Sequence, residues 1–262
     1  MFNLSNILNA TNYEGLCDYS IVPPYGKYFT NEILTRNATI FCKTDFIEYL
    51  FDHLKESNYN YNLVTHHSDY PIDSQRWSLK PKCIKKWFAI NPIIDDTNLI
   101  AVPLGLKTHK QPYLEPRYMT EWFAYNIERL RSNKKKKNIY CNWNQTNESR
   151  NFIKDSLISK KISITYQHNI PFNEYIEEMS QHKFVISPPG NGIDCHRTWE
   201  AIYIGCIPIV IKHPIYNDWN LPIIQVNNYS ELTQDFLDSY LLYDNNYNEL
   251  NLEYWRERII KI

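Results

Sequence analysis

Short, almost wholly apolar runs alternate with longer amphipathic stretches along this 262-residue chain, and that rhythm limits the fold more than any other feature. In the second half, Asn138–Asn142, Ile162–Tyr166, Lys183–Ser187, Cys206–Lys212 and Leu221–Val226 read as strands. Glu148–Ser159, Phe172–Gln181, Cys195–Ile204, Ser230–Tyr243 and Leu250–Ile262 read as helices. The first half repeats the pattern less regularly: Ala38–Cys42, Tyr61–Thr65, Trp87–Ile90 and Leu99–Val102 are predicted strands, and Thr44–Glu56 and Met119–Arg131 predicted helices. Thr44 is placed to cap its helix, with Phe46, Leu50 and Leu54 on one face. A helix between two strands of one sheet makes a right-handed crossover and leaves the strands parallel. Strands without polar alternation are covered on both faces. The expected architecture is two α/β domains, residues 1–133 and 134–262, facing each other, with Lys134–Lys137 as a solvated linker.

The charge balance removes one class of function. With 28 basic and 29 acidic residues the net charge is -1, so no general attraction for nucleic acid is expected. At 43 % hydrophobic, the chain can bury a core that a disordered chain lacks. No apolar stretch approaches the ~20 residues needed to span a bilayer. Residues 1–15 have neither the basic nor the apolar region of a signal peptide. Six scattered cysteines show no CxxC pair and no zinc spacing, and they read as reduced thiols of a cytoplasmic chain.

Only six glycines occur, and three fall between residues 190 and 205, inside KFVISPPGNGIDCHRTWEAIYIGCIPIVIK. The order there is strand, loop, helix, strand. Pro188, Pro189 and Gly190 stop the strand, because proline donates nothing to a ladder and glycine accepts unusual backbone angles. Gly190 and Gly192 let a loop approach a ligand closely, and Ser187 and Asn191 can hydrogen-bond it. Asp194 is a good N-cap for the following helix. The amino end of that helix points to the carboxyl side of the sheet, where open α/β sheets bind ligands and free amides attract anions. Arg197, in the first turn, can grip a diphosphate; Glu200, one turn on, can accept from the two hydroxyls of a ribose. The competing reading is an i,i+3 ion pair between them.

These residues, with Arg197-Thr198-Trp199-Glu200-Ala201 and Gly205-Cys206-Ile207-Pro208-Ile209-Val210 at their centre, resemble the signature of exostosin-like glycosyltransferases, in particular small single-chain forms found in large DNA viruses. His67-Ser68-Asp69-Tyr70-Pro71, Trp87 to Asn91, Ile100 to Gly105, and Asn142 with Thr146 to Arg150 are similar to the same family in order. The likeness spans roughly residues 61–226. It implies a GT-B fold, two Rossmann-like domains facing each other across a cleft. It also implies a nucleotide-sugar donor, UDP-linked by default, held by the C-terminal domain, a glycan acceptor on the N-terminal one, and a last helix packing back onto the N-terminal domain.

The reaction needs a stabilised diphosphate leaving group and, for inversion, a base. The chain contains no Asp-x-Asp, so no metal is expected, and the charge falls to arginines and helix amides. Arg197 is the first candidate and Arg150, at the start of a helix, the second. Asp69, just after a buried strand, is the chosen base, with His66 and His67 as rivals. Ser68 and Tyr70 complete that acceptor-side loop. Asn142 and Lys212, at strand ends, are candidate nucleotide contacts, and Trp143 or Tyr166 candidate stacking partners for a base. Many retaining GT-B enzymes carry Glu-x7-Glu, but eight residues after Glu200 stands Pro208, which favours inversion. A non-catalytic nucleotide-sugar or glycan binding module is the alternative, and it has no use for a carboxylate at Asp69. No cofactor is expected beyond the nucleotide-sugar co-substrate.

Overall fold

A computed structural model describes residues 2–22, 36–107, 116–146, 148–240 and 247–261, without the side chains of residues 116–119 and 149. Among these residues the first part holds α1 (Ala10–Gly15), β1 (Tyr19–Ile21), β2 (Ala38–Lys43), α2 (Ile47–Leu54), β3 (Tyr61–His66), α3 (Ser74–Ser78), β4 (Ile84–Ala89), β5 (Leu99–Ala101) and α4 (Pro116–Arg131). The second part holds β6 (Lys137–Cys141), α5 (Ile153–Ser159), β7 (Ile164–Tyr166), α6 (Phe172–Met179), β8 (His182–Ile186), α7 (His196–Tyr203), β9 (Ile207–Ile211), β10 (Ile224–Val226), α8 (Gln234–Asp238) and α9 (Leu252–Ile259). The strands form two five-stranded sheets, ordered β1-β2-β3-β4-β5 and β10-β9-β8-β6-β7. Every pairing is parallel, as the intervening helices require.

The two faces of each strand serve different cores. Ile40, Cys42, Leu63 and Trp87 pack with Ile47, Leu50, Phe51 and Leu54 of α2. Their alternate neighbours Phe41, Val64 and Phe88 join a larger cluster that also contains Tyr140, Val185, Trp199, Tyr203 and Trp255 from the second half. On the far side of the second sheet, Ile139, Cys141, Phe184, Ile186 and Ile209 pack with Leu157 and Leu237. The period of two within each strand thus builds three apolar layers, the middle one shared by both sheets. The chain's end ties them further: Asn62 on β3 donates to the carbonyls of Ile259 (2.7 Å) and Lys261 (3.1 Å), and Leu252 N–H donates to Asn6 (2.9 Å).

The second sheet reverses its strand order between β6 and β8, because β7 lies on one side of β6 and β8 on the other. The loops after these two strands diverge there and leave a crevice at their carboxyl ends. The first sheet runs in simple order.

Several local expectations change. Thr44 does not cap a helix; residues Thr44–Phe46 form a 3-10 turn, and the Thr44 hydroxyl donates to the His66 carbonyl at 3.5 Å. Ile47 and Phe51 are buried with Leu50 and Leu54, while Phe46 is only partly covered. His66 belongs to β3 rather than to the loop after it. Lys134–Lys137 is more than a solvated linker: Lys137 opens β6, and Lys135 donates to the carbonyls of Ser180 (2.7 Å) and Ile204 (2.8 Å), closing the ends of α6 and α7. The helix expected over 148–159 is broken. Glu148–Arg150 is a 3-10 turn, and Phe152, at φ 65°, separates it from α5. The helix expected over 230–243 is the short α8, and residues 241–243 lie outside the described residues.

Gly105, in the loop after β5, has φ +68°, and a Cβ there would run into the Leu8 carbonyl, which accepts from Leu106 N–H at 2.8 Å. Gly105→Ala is expected to cost ~1–3 kcal/mol for the left-handed backbone alone, read as a lower urea midpoint with an unchanged slope.

Candidate functional site

A cavity of about 730 Å³ takes its walls from the carboxyl ends of strands in both sheets. From the first sheet come His66, His67, Ser68 and Asp69 after β3, and Leu104, Leu106 and Lys107 after β5. From the second come Asn142, Trp143 and Asn144 after β6, Gly190, Asn191 and Gly192 after β8, and Cys195, His196, Arg197 and Glu200 at the head of α7. Asn169, Ile170, Phe172 and Tyr175 complete the wall.

The loop after β8 is clamped from both sides. Arg150, 6 % exposed, donates through Nε to the Pro189 carbonyl (2.9 Å) and through Nη2 to that of Pro188 (3.2 Å). Its Nη1 donates to the Asn144 carbonyl (2.6 Å) and the Thr146 hydroxyl (2.8 Å). This pull on the loop buries Arg150 and explains the broken helix around it. The guanidinium lies behind the loop and does not line the cavity. On the other side Asn91 accepts from Asp194 N–H at 2.9 Å, and a Cβ on Gly192 would lie 2.8 Å from Asn91 Nδ2 and 3.6 Å from Asp69 Oδ1. A side chain at position 192 would have to displace the Asn91 amide.

Asp194 does not cap α7. Cys195 holds the N-cap position with no side-chain cap bond. The Asp194 carboxylate instead joins the two parts of the chain, accepting from Leu104 N–H (3.0 Å), the Trp199 indole (2.7 Å) and Cys195 N–H (2.8 Å). Burial pushes its carboxyl up to about 7, and these three donors pull the other way. His196 Nδ1 donates to the Gly105 carbonyl at 2.7 Å, a second tie to the same loop.

Arg197 and Glu200 both reach the cavity. No ion pair joins them among the described residues. Instead Arg197 Nε and Nη1 are buried without a hydrogen-bond partner there. Glu200, 7 % exposed, accepts from the Tyr175 hydroxyl at 2.7 Å. Burial raises its carboxyl above the ordinary range, opposed by Tyr175 and then Arg197. Buried guanidinium N–H groups with no acceptor among the described residues, at the amino end of a helix, can receive an anion.

On the facing wall, His67 takes left-handed backbone, φ 62°, and the turn sends Ser68 and Asp69 to the cavity. Asp69 is exposed and accepts from Asn191 Nδ2 at 3.3 Å, so the carboxylate stands beside the glycine loop. His66 has both ring nitrogens in use: Nε2 donates to the Leu104 carbonyl (3.1 Å) and Nδ1 accepts from His67 N–H (2.8 Å). Burial first, then His67 and His196, hold it well below the ordinary histidine range. It is a neutral fixture of the wall, which leaves it no lone pair for an acceptor.

Other expected contacts lie elsewhere. Ser187 is buried and shares a 2.9 Å hydrogen bond with Thr198 under the loop. Pro189 offers only its carbonyl to Arg150, Tyr70 is 52 % exposed with the Arg76 guanidinium over its ring, and Lys212 is exposed beyond β9; none lines the cavity. Trp143 lines it, and Tyr166 meets Trp143 edge-on from outside. Sequence reasoning missed Tyr175, His196, Lys107 and Asn91. His196 and Asn91 stood inside segments singled out for their likeness to the family; Tyr175 and Lys107 carry no local signal, since Tyr175 sits on an ordinary amphipathic helix.

Among the described residues no group of three or more His, Cys, Asp or Glu side chains is placed to hold a metal ion. All six cysteines are free thiols. No described helix is long and apolar enough to cross a membrane. No curated protein matches the chain. The Exostosin GT47 domain matches residues 50–233, a span that contains the β3 and β5 loops, the clamped β8 loop and α7. The chain therefore belongs to the Exostosin GT47 family and is a glycosyltransferase.

Proposed function

We propose that the chain transfers a sugar, with inversion and without a metal, from a nucleoside diphosphate sugar to a hydroxyl of a glycan acceptor. The observation that carries this reading is that Arg197 Nε and Nη1, at the head of α7 and inside the shared cavity, are buried with no hydrogen-bond partner among the described residues. Arg197 grips the diphosphate and stabilises the charge that grows as the glycosidic bond breaks. Arg150 acts from behind, holding the loop whose Gly190, Asn191 and Gly192 cover the donor. Glu200 accepts from the ribose, and Asn142 and Trp143 flank the base. Asp69 takes the proton of the attacking hydroxyl, from the side opposite the helix. The lack of any Asp-x-Asp supports a metal-free route, and Pro208 in place of a second glutamate supports inversion. The two parallel sheets then correspond to the two Rossmann-like domains of a GT-B enzyme, residues 1–133 for the acceptor and 134–262 for the donor. A UDP-linked donor is the default that the family supplies.

A thermal-shift series tests the donor class. UDP at 100 times its dissociation constant adds ~2.7 kcal/mol, which for a chain of this size raises the midpoint by about 5–10 °C. UDP and UDP-sugars are expected to shift the midpoint in EDTA as well as in Mn²⁺, and uridine is not. A shift seen only with Mn²⁺, or with GDP or CMP instead, overturns the corresponding part of the proposal.

A further inference from the structure

We infer that Tyr175 is a positioning residue that sets the Glu200 carboxylate to receive two neighbouring hydroxyls of a ribose; this rests on reading the cavity as a nucleotide site. A glutamate carboxylate rotates with little preference about its last torsion. Here one short hydrogen bond selects the rotation: the Tyr175 hydroxyl donates to Glu200 Oε2 at 2.7 Å. No other donor reaches the carboxylate among the described residues. Arg197, three residues earlier on α7, makes no hydrogen bond to it through its buried Nε and Nη1.

Tyr175 is itself held in place. Its ring lies 5.8 Å from that of Tyr140 and 6.0 Å from that of Phe172. Tyr140 is fixed in turn, donating to Gln167 Oε1 (2.9 Å) and accepting from Asn142 Nδ2 (3.2 Å). Burial, and then Glu200, hold the Tyr175 phenol well above the ordinary tyrosine range, so it stays a donor. An ionised carboxylate offers about four lone-pair sites. Tyr175 occupies one and leaves the others to the cavity, where Glu200 and Tyr175 are both wall residues. A vicinal diol has two donors at the spacing of two carboxylate oxygens. Diphosphate has none, which separates the ribose contact from the Arg197 contact.

Calorimetric titration of the wild type, Tyr175→Phe and Glu200→Gln with UDP, 2′-deoxy-UDP, GDP, 2′-deoxy-GDP and inorganic pyrophosphate tests the inference. A hydrogen bond to a charged group corresponds to roughly 10- to 100-fold in affinity. The wild type is expected to prefer the ribonucleotide by about that factor. Tyr175→Phe is expected to lose most of the preference, as Glu200→Gln does, while binding pyrophosphate like the wild type. Unchanged discrimination in Tyr175→Phe overturns the role of Tyr175 and leaves the Glu200 reading intact. A wild type that treats ribose and deoxyribose alike overturns the Glu200 reading and the inference with it. Equal losses for all five ligands in Tyr175→Phe mean a structural role only and also overturn it.

Discussion

Arg197→Ala is expected to lower kcat/KM by about 10²–10³, the usual effect of removing one preorganised donor from a developing oxyanion. Nucleotide affinity and turnover should fall together, because the same guanidinium meets the diphosphate before and during bond cleavage. The fold should not suffer. Arg197 Nε and Nη1 have no hydrogen-bond partner among the described residues, so the substitution breaks no internal bond at those atoms. With no internal hydrogen bond lost at those atoms, the melting temperature of the free protein should hold. Arg197→Lys should recover only part of the loss, since a lysine is a point charge without the planar fork. Steady-state kinetics alongside thermal melting check all three points. Wild-type kinetics in Arg197→Ala would remove it from the mechanism. A collapse of stability would mark it as structural.

Asp69→Asn is expected to reduce turnover by about 10²–10⁴, the range assigned to general-base catalysis. The amide keeps the size and one acceptor oxygen of the carboxylate, so the 3.3 Å contact from Asn191 can persist. Donor affinity should therefore stay within about twofold by calorimetry, while transfer fails. His67 is the residue to measure in parallel, because His66 has both nitrogens engaged. Turnover retained in Asp69→Asn but lost in His67→Ala would move the role to His67. Retention in both would overturn the assignment of the base to this loop.

Strand-to-helix rhythm made most of the architecture readable. Apolar runs such as KFVIS and CIPIVIK carry their own signal, because a strand covered on both faces needs apolar residues at every position. The departures are places where a distant partner overrules a local preference. The window 148–159 has helical composition, yet Arg150 is drawn onto the Pro188 and Pro189 carbonyls and the helix starts only at Ile153. Asp194 has the composition of an N-cap, but a neighbouring chain segment offers it Leu104 N–H, 90 residues away in sequence. Lys135 reads as one of four solvated lysines, but the ends of α6 and α7 supply carbonyls that need a donor.

The sequence alone determined the fold class, the clustering of glycine around the loop after β8, and the placing of Arg197 and Glu200 one turn apart on the helix after it. All three depend on residues close together in the chain, whose spacing and backbone demands are local. The tertiary structure alone decided which donors remain unpaired and which are used. It left Arg197 Nε and Nη1 without a hydrogen-bond partner among the described residues, spent the donors of Arg150 on a loop, and gave Glu200 the hydroxyl of Tyr175. It also placed the reversal of strand order between β6 and β8, and brought Asp69 beside Asn191. Hydrogen-bond satisfaction in a buried cavity is a property of everything that surrounds it, and residues 122 positions apart leave no trace of that contact in their local sequence.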